Sequence, residues 1–533
     1  MKKIKKLWNR DCIKPTILGG VSGTISAWSF CSAHFWFLLF ASMVPYFLTI
    51  YSAENRRQVF WMSLSFMVFV CLTAFYWVSY VAIEFGQLPW IVGAVVLFLF
   101  SLFGELQFVI FALLARWIKA KSETIFFLIS PFLYITCDFL YPKIFPNSLG
   151  NALIHFKSLA QIAEYTGVYG LTFLIILANI SLTFVFLGLT RKSRKQTSLG
   201  VVCFAVFLTL VFVGQSWGTK RIAQLESEQP DRKLKVALVQ ANIGDVDKLA
   251  SEAGIQSAVQ KVLDTYQEMT RKAVLEAKPD LVVWPETAYP MLYTHFLDEN
   301  ANLSGSANDA FIKKLVLGTK TPLFFGGYSH NGRRDFNSAF LVEPEGEDLK
   351  LSGLYRKSIL LAFGEYVPLG PLAPIVQEIV PTIADFGRGQ GAMIFRFRGV
   401  NLGPQICYEG IVSSHSKDAV NLGADLLLNV TNDSWFGPTA EPNLHLMLTA
   451  LRAIELRRPM VRATNTGFSA IIDRTGSIER QTKLFSPDLL ISDVNIYRPQ
   501  DTFFLKLGEA FAQLCIWLTV ILLWLMSIKV IKK

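Results

Sequence analysis

The stretch GPQICYEG, residues 403–410, is a short apolar lead-in followed by a cysteine, a tyrosine and a glutamate. Cys407 follows a strand-like run and precedes a polar stretch, so it stands where a strand ends. It is the only cysteine between Trp217 and the last hydrophobic run; the others, at 12, 31, 71, 137, 203 and 515, lie in or near apolar segments. The sequence contains no disulfide framework and no CxxC or His/Cys cluster of zinc type. A lone thiol in a polar domain is either inert packing or a nucleophile.

Composition sets the frame. Of 533 residues, 52% are hydrophobic, and the mean hydropathy is +0.39. That is too apolar for a water-soluble enzyme of this length and points to a membrane protein. The formal charge of +10 does not indicate nucleic acid, because much of the excess sits in short clusters beside apolar runs. Candidate spans fall near 15–31, 33–51, 60–83, 89–115, 123–140, 166–190, 199–217 and 510–528, each about 17–25 residues. Basic clusters occur at Lys2–Lys6, Arg56–Arg57, Arg116–Lys121, Arg191–Lys195 and Lys529–Lys533. Cytoplasmic loops carry such clusters. Seven spans before residue 218 put all of them on that side, so MKKIKKLWNR reads as the start of an uncleaved first helix. The expected organisation is a transmembrane bundle over 1–217, an extracytoplasmic α/β domain over 218–508, and a last transmembrane helix with a basic tail over 509–533. Both termini are then cytoplasmic.

Within 218–508, strand-type runs occur at 233–240, 280–286, 321–327, 337–344, 424–433 and 467–476, and helical periodicity at 252–277 and 443–457. A thiol attacking a carbonyl needs a base and a group to stabilise the oxyanion. Glu286 closes the strand LVVWPE, Lys357 follows a strand-like run in GLYRKS, and Glu365 is a charge inside the apolar AFGEYVP. Taken singly, each reads as readily as a surface or turn residue.

Together, VVWPET with Glu286, YRKS with Lys357 and ICYEG with Cys407 resemble the Glu–Lys–Cys triad of the nitrilase superfamily, in order and context. The further stretches FGEYVP (363–368), NVTNDSWFG (429–437), RAIELRRPMVRATNTGFSAII (452–472) and QIAEYTGVYGLTFLI (161–175), with the flanking spans, resemble its membrane-embedded branch, the apolipoprotein N-acyltransferase family. The resemblance covers nearly the whole chain. It implies an αββα sandwich for 230–497 on a helical bundle. It implies Glu286 as general base, Lys357 with the Tyr408 backbone N–H as oxyanion stabilisers, Glu365 as the carboxylate that orients them, and Glu409 in support. The implied donor is a phospholipid and the acceptor a diacylglyceryl apolipoprotein, at the outer face of a bacterial inner membrane. No metal or organic cofactor is implied, and the chain is expected to act as a monomer.

The chain departs from the family's usual pattern in four places. SILLAFGE stands where His-Leu-Val-Pro follows the lysine, and PNLH keeps only His445 of a Trp-Gln-His run. QANIGDVDKLASEAG lacks an expected tryptophan, and Phe145-Pro146-Asn147 replaces Phe-Pro-Trp. None touches the triad; all bear on substrate access and preference. Phe363, Trp435 and His445 are the candidates there, with 358–381 as an apolar arm that leans on the bilayer. Rival readings are a membrane-tethered nitrilase-type amidase, an acyltransferase with another acceptor, and a silent lipoprotein-binding scaffold.

Overall fold

The computed structural model describes residues 10–294, 307–380 and 383–531. The Lys2–Lys6 cluster, the side chains of Lys529–Lys533 and the arm's last residue, Pro381, lie outside the described residues. The chain divides into two compact units. One comprises residues up to Ala82, Pro89–Leu225 and the C-terminal segment from Lys506; the other comprises Ile83–Leu88 and Glu226–Leu505.

The first unit is helical. Among the described residues, six helices are long and apolar enough to cross a membrane: 56–74, 90–121, 123–140, 163–190, 194–227 and 510–528. The first expected pair accounts for the difference from eight. Arg10–Cys31 is a single helix, but glycine, serine and threonine dilute its apolar character. Those small residues serve packing. A Cβ on Gly19 would lie only 2.1 Å from the Met62 carbonyl oxygen, and one on Gly23 only 2.4 Å from that of Phe66. The i, i+4 glycines therefore let this helix lie directly against Arg56–Ala74, the small-residue contact by which membrane helices associate. The expected span 33–51 is broken into a 3-10 turn, Trp36–Phe40, and a helix, Val44–Ser52, with proline in its first turn. Backbone groups freed by the break find a partner in Asn179. Its Oδ1 accepts from Met43 N–H at 2.8 Å, and its Nδ2 donates to the Leu39 carbonyl at 2.7 Å. A broken helix is tolerated at membrane depth only with such internal satisfaction.

The second unit is an αββα sandwich. Its first sheet comprises β1 (Arg232–Gln240), β2 (Leu281–Val283), β3 (Leu323–His330), β4 (Asp335–Glu345), β5 (Asp348–Arg356) and β12 (Asp488–Ile496), in the order β12-β1-β2-β3-β4-β5. The second comprises β6 (Phe395–Phe397), β7 (Val400–Ile406), β8 (Leu426–Thr431), β9 (Met460–Thr464), β10 (Ala470–Ile472) and β11 (Ile478–Gln481), in the order β11-β10-β9-β8-β7-β6. The centre of each sheet is parallel: β1-β2-β3 in one, β7-β8-β9 in the other. Alternation along β1 explains the layering. Val236 and Leu238 enter the core between the sheets with Val283, Ile406 and Val430. Ala237 and Val239 face the helices instead, packing with Val259 and Val262 of α1 (Gln256–Ala277) and Ile312 of α2 (Ala307–Thr319). On the other side α3 (Ser413–Asn421) packs on β7, and α4 (Glu441–Leu456) packs on α3 and on the turn carrying Cys407. β7 and β8 run in parallel as far as Ile406 and Val430, and beyond β8 the Asn432 N–H donates at 2.9 Å to Glu286, which follows β2 in the other sheet.

Candidate active site

Cys407 is the first residue after β7 and opens the 3-10 turn Cys407–Ile411. Its φ is +53°, in the left-handed region that a non-glycine residue occupies at a cost of about 1–3 kcal/mol. The turn is held by Glu409. This fully buried carboxylate accepts from Ile406 N–H at 2.8 Å, Tyr355 O–H at 2.6 Å, Ser358 N–H at 2.7 Å and Ile359 N–H at 3.0 Å. It thus ties the cysteine turn to the chain just after Lys357. Tyr408 packs partly buried against the inter-sheet core, and burial pushes its phenol up to about 12.

Glu286 follows β2 through Pro285. Gly326 on β3 lets it come close: a Cβ there would stand 2.6 Å from both the Glu286 Cα and the Pro285 oxygen. The Glu286 carboxylate accepts from Asn337 Nδ2 at 2.8 Å and from the Asn432 backbone N–H at 2.9 Å. Lys357 follows β5. Its backbone N–H donates to the Asn337 carbonyl and its own carbonyl accepts from Gly389 N–H, both at 2.8 Å. Its Nζ stands 2.8 Å from Glu365 Oε2 and 3.5 Å from Glu286 Oε1. Glu365 is fixed in turn by Leu361 N–H at 2.9 Å and Asn337 Nδ2 at 3.0 Å. One amide therefore bridges both carboxylates.

The charges follow from this packing. Burial pushes the Cys407 thiol well above its ordinary pKa; Glu286 adds to the rise, while Lys357 and a hydrogen bond with Thr431 oppose it. Burial also raises Glu286, with Glu365 adding and Lys357 opposing. For Lys357 burial works against the charge, but Glu365 and then Glu286 outweigh it, so its pKa is raised. At rest the site holds a protonated thiol and a lysine ammonium beside the carboxyl groups of Glu286 and Glu365. That set can accept a thiol proton at Glu286 and stabilise a negative oxygen at Lys357.

The residues expected at substrate access separate. Phe363 is 45% exposed with φ +64°, and Trp435 is half-buried against Phe85. His445 does not line an opening: it is 4% exposed, with Nδ1 3.2 Å from Asp433 Oδ1. Helix α4 is buried around nearly its whole circumference, so its one histidine points inward. Asp433, Glu441 and His445 place donor atoms within 4.8 Å of one another, as metal ligands would be. Arg462, however, already holds both oxygens of Asp433, at 3.0 and 3.2 Å, so a cation there would have to displace a guanidinium. The sequence reading missed Asn337, Thr431, Asn429 and Arg462. The available signal was a polar residue inside an otherwise buried strand, as in LLLNVT, where burial demands a partner.

Residues 235–502 match the carbon-nitrogen hydrolase family, and residues 22–181 match the apolipoprotein N-acyltransferase N-terminal domain. A crystal structure of a carbon-nitrogen hydrolase from Helicobacter pylori G27 aligns at 15% identity over 54% of this chain and 94% of that one, with a TM-score of 0.37. The two family matches define the class: a carbon-nitrogen hydrolase domain joined to a bundle of apolar helices. An apolipoprotein N-acyltransferase of Geobacter metallireducens is 34% identical over 94% of this chain and 93% of its own length. One of Bdellovibrio bacteriovorus is 33% identical over 87% and 85%. The chain belongs to the apolipoprotein N-acyltransferase family.

Proposed function

We propose that this membrane protein moves an acyl chain from a phospholipid to the N-terminal cysteine amine of a diacylated apolipoprotein, by way of a thioester on Cys407. The observation that carries the reading is the gathering of Glu286, Lys357 and Glu365 around one buried thiol, in a chain whose described residues include six helices long and apolar enough to cross a membrane. In the first step Glu286 takes the thiol proton and sulfur attacks the ester carbonyl. Lys357, with the Tyr408 backbone N–H, stabilises the tetrahedral oxyanion. The proton then goes to the departing alkoxide and lysophospholipid leaves. In the second step the acceptor's amine attacks the thioester, Glu286 takes its proton, and the thiol is regenerated as the amide forms. Each step balances without a cofactor. A covalent intermediate between two half-reactions gives ping-pong kinetics.

The catalytic part, residues 218–508, faces the periplasmic side of a bacterial inner membrane, with both termini cytoplasmic. The Arg56–Arg57, Arg116–Lys121 and Arg191–Lys195 clusters support that orientation. Phe363 and the arm around it guide acyl chains, Trp435 stands at the rim, and the protein works as a monomer. A membrane-tethered amidase using the same residues is the alternative, and the apolar helices speak for a lipid substrate instead. Mass spectrometry of lipoprotein N-termini from depleted cells tests the reading: diacylated N-termini must accumulate. Fully triacylated N-termini, with no second enzyme to supply them, refute it.

A further inference from the structure

The left-handed backbone at Cys407 needs a restraint on its carbonyl, and the structure provides one from the neighbouring strand. Asn429 lies beside Gln405 in the parallel pair β7–β8. Its Nδ2 donates to the Cys407 carbonyl at 3.2 Å and reaches the Gln405 carbonyl at 3.5 Å. The amide cannot rotate away, because Arg462 Nη1 donates to its Oδ1 at 2.6 Å. Gly410 leaves the room: a Cβ there would stand 2.8 Å from Asn429 Nδ2. The same guanidinium orients Asp433, which takes Nδ1 of His445. The ring's other nitrogen, Nε2, has no hydrogen-bond partner among the described residues. Asn429, Arg462 and Asp433 are all fully buried, and none of them touches the reacting groups directly.

We propose that Asn429 is a positioning residue for the nucleophile: its amide, clamped by Arg462, holds the Cys407 carbonyl and keeps the thiol aimed between Glu286 and Lys357. A fully buried guanidinium is costly to desolvate. One of its hydrogen-bonded partners, Asn429, leads directly to the Cys407 carbonyl, which accounts for an arginine in the middle of a buried strand. The inference rests on Cys407 being the acylated residue.

The test uses the full-length chain in phospholipid–detergent micelles, with two acyl donors. Phospholipid reports acyl attachment to Cys407 by peptide mass. The small activated ester p-nitrophenyl acetate reports acylation of the thiol by a burst of p-nitrophenolate, corrected with Cys407→Ala, and makes no demand on lipid binding. Asn429→Asp keeps an acceptor for Arg462 and removes the donor; Gly410→Ala leaves Asn429 in place and crowds its amide. Both are expected to lower the burst rate constant by about 10- to 100-fold, the scale of a misaimed reacting group, with half-saturation unchanged. Asn429→Asp or Gly410→Ala within twofold of wild type overturns the proposal, and so does a loss that appears in half-saturation instead of the rate constant. A wild-type burst with no acyl group from phospholipid refutes the proposed function and leaves the clamp standing.

Discussion

Gly326→Ala isolates how closely the base strand and its neighbour must approach. The methyl group would lie 2.6 Å from the Glu286 Cα, the Pro285 oxygen and the Thr287 nitrogen. These are backbone atoms, so no side chain can swing aside. Reaching an ordinary carbon contact of about 3.5 Å requires a retreat of roughly 0.9 Å. The 285–287 segment is the part that can yield, since β3 is fixed on both edges by β2 and β4. Overpacking of this kind destabilises by about 1–3 kcal/mol, and a shift near 1 Å at a reacting group costs on the order of 100-fold in rate. The assay is the single-turnover appearance of an acyl group on Cys407 from phospholipid, alongside thermal unfolding of the same preparation. Gly327→Ala is the internal control, because its Cβ meets Tyr289 atoms at 3.3–3.4 Å and needs only slight adjustment. The expected result is a large loss for the first and a small one for its neighbour. A folded Gly326→Ala protein that acylates at the wild-type rate, or equal losses for both, refutes the placement of Glu286.

Other perturbations separate charge from packing. Lys357→Met leaves Glu286 and Glu365 buried without their cation. Breaking such a pair costs about 3–5 kcal/mol, so thermal unfolding should drop and thioester formation should vanish. The acylation rate should rise with pH as Glu286 loses its proton, with a midpoint above the ordinary 4.5. Because the Asn337 hydrogen bond favours the charged carboxylate, Asn337→Ser should move that midpoint to higher pH; a midpoint that stays or falls contradicts the bridging geometry. Gly23→Val puts side-chain atoms where a Cβ already stands 2.4 Å from the Phe66 oxygen. It should lower the unfolding temperature of the detergent-solubilised chain, while a polar-to-polar change at the exposed Lys278 should not.

Much of the sandwich was readable because its strands are apolar runs closed by turn residues. KLKVALVQ became β1, and ADLLLNVTND contains β8, buried on both faces as central parallel strands are. What stayed hidden depended on distant partners. The break in the span 33–51 is stabilised by Asn179, 136 residues after Met43, so the local sequence shows only a continuous apolar run. The hairpin β4–β5 turns at Gly346, whose φ is +60°, within a charged EGED stretch that reads as a loop. Glu286, Lys357 and Cys407 were found as ends of strand-like runs, and the structure brings them together. Asn337 was not found, because nothing in FNSAF shows that its amide will meet two carboxylates from other segments. His445 was marked for substrate access because PNLH departs from the family's Trp-Gln-His run; the structure buries it inside a helix covered nearly all round, which four residues of sequence cannot show.

The upward shift of the Cys407 thiol has a consequence for an idle enzyme. Oxidants and alkylating agents consume thiolates far faster than thiols. In the proposed mechanism the sulfur, whose pKa burial and Glu286 raise, becomes a thiolate only while Glu286 holds its proton beside a bound carbonyl. Between turnovers the atom is protonated, buried and without a disulfide partner. In the proposed orientation, where disulfides can form, a buried and protonated sulfur resists oxidation while idle, because its reactivity is switched on by the same proton transfer that begins the proposed chemistry.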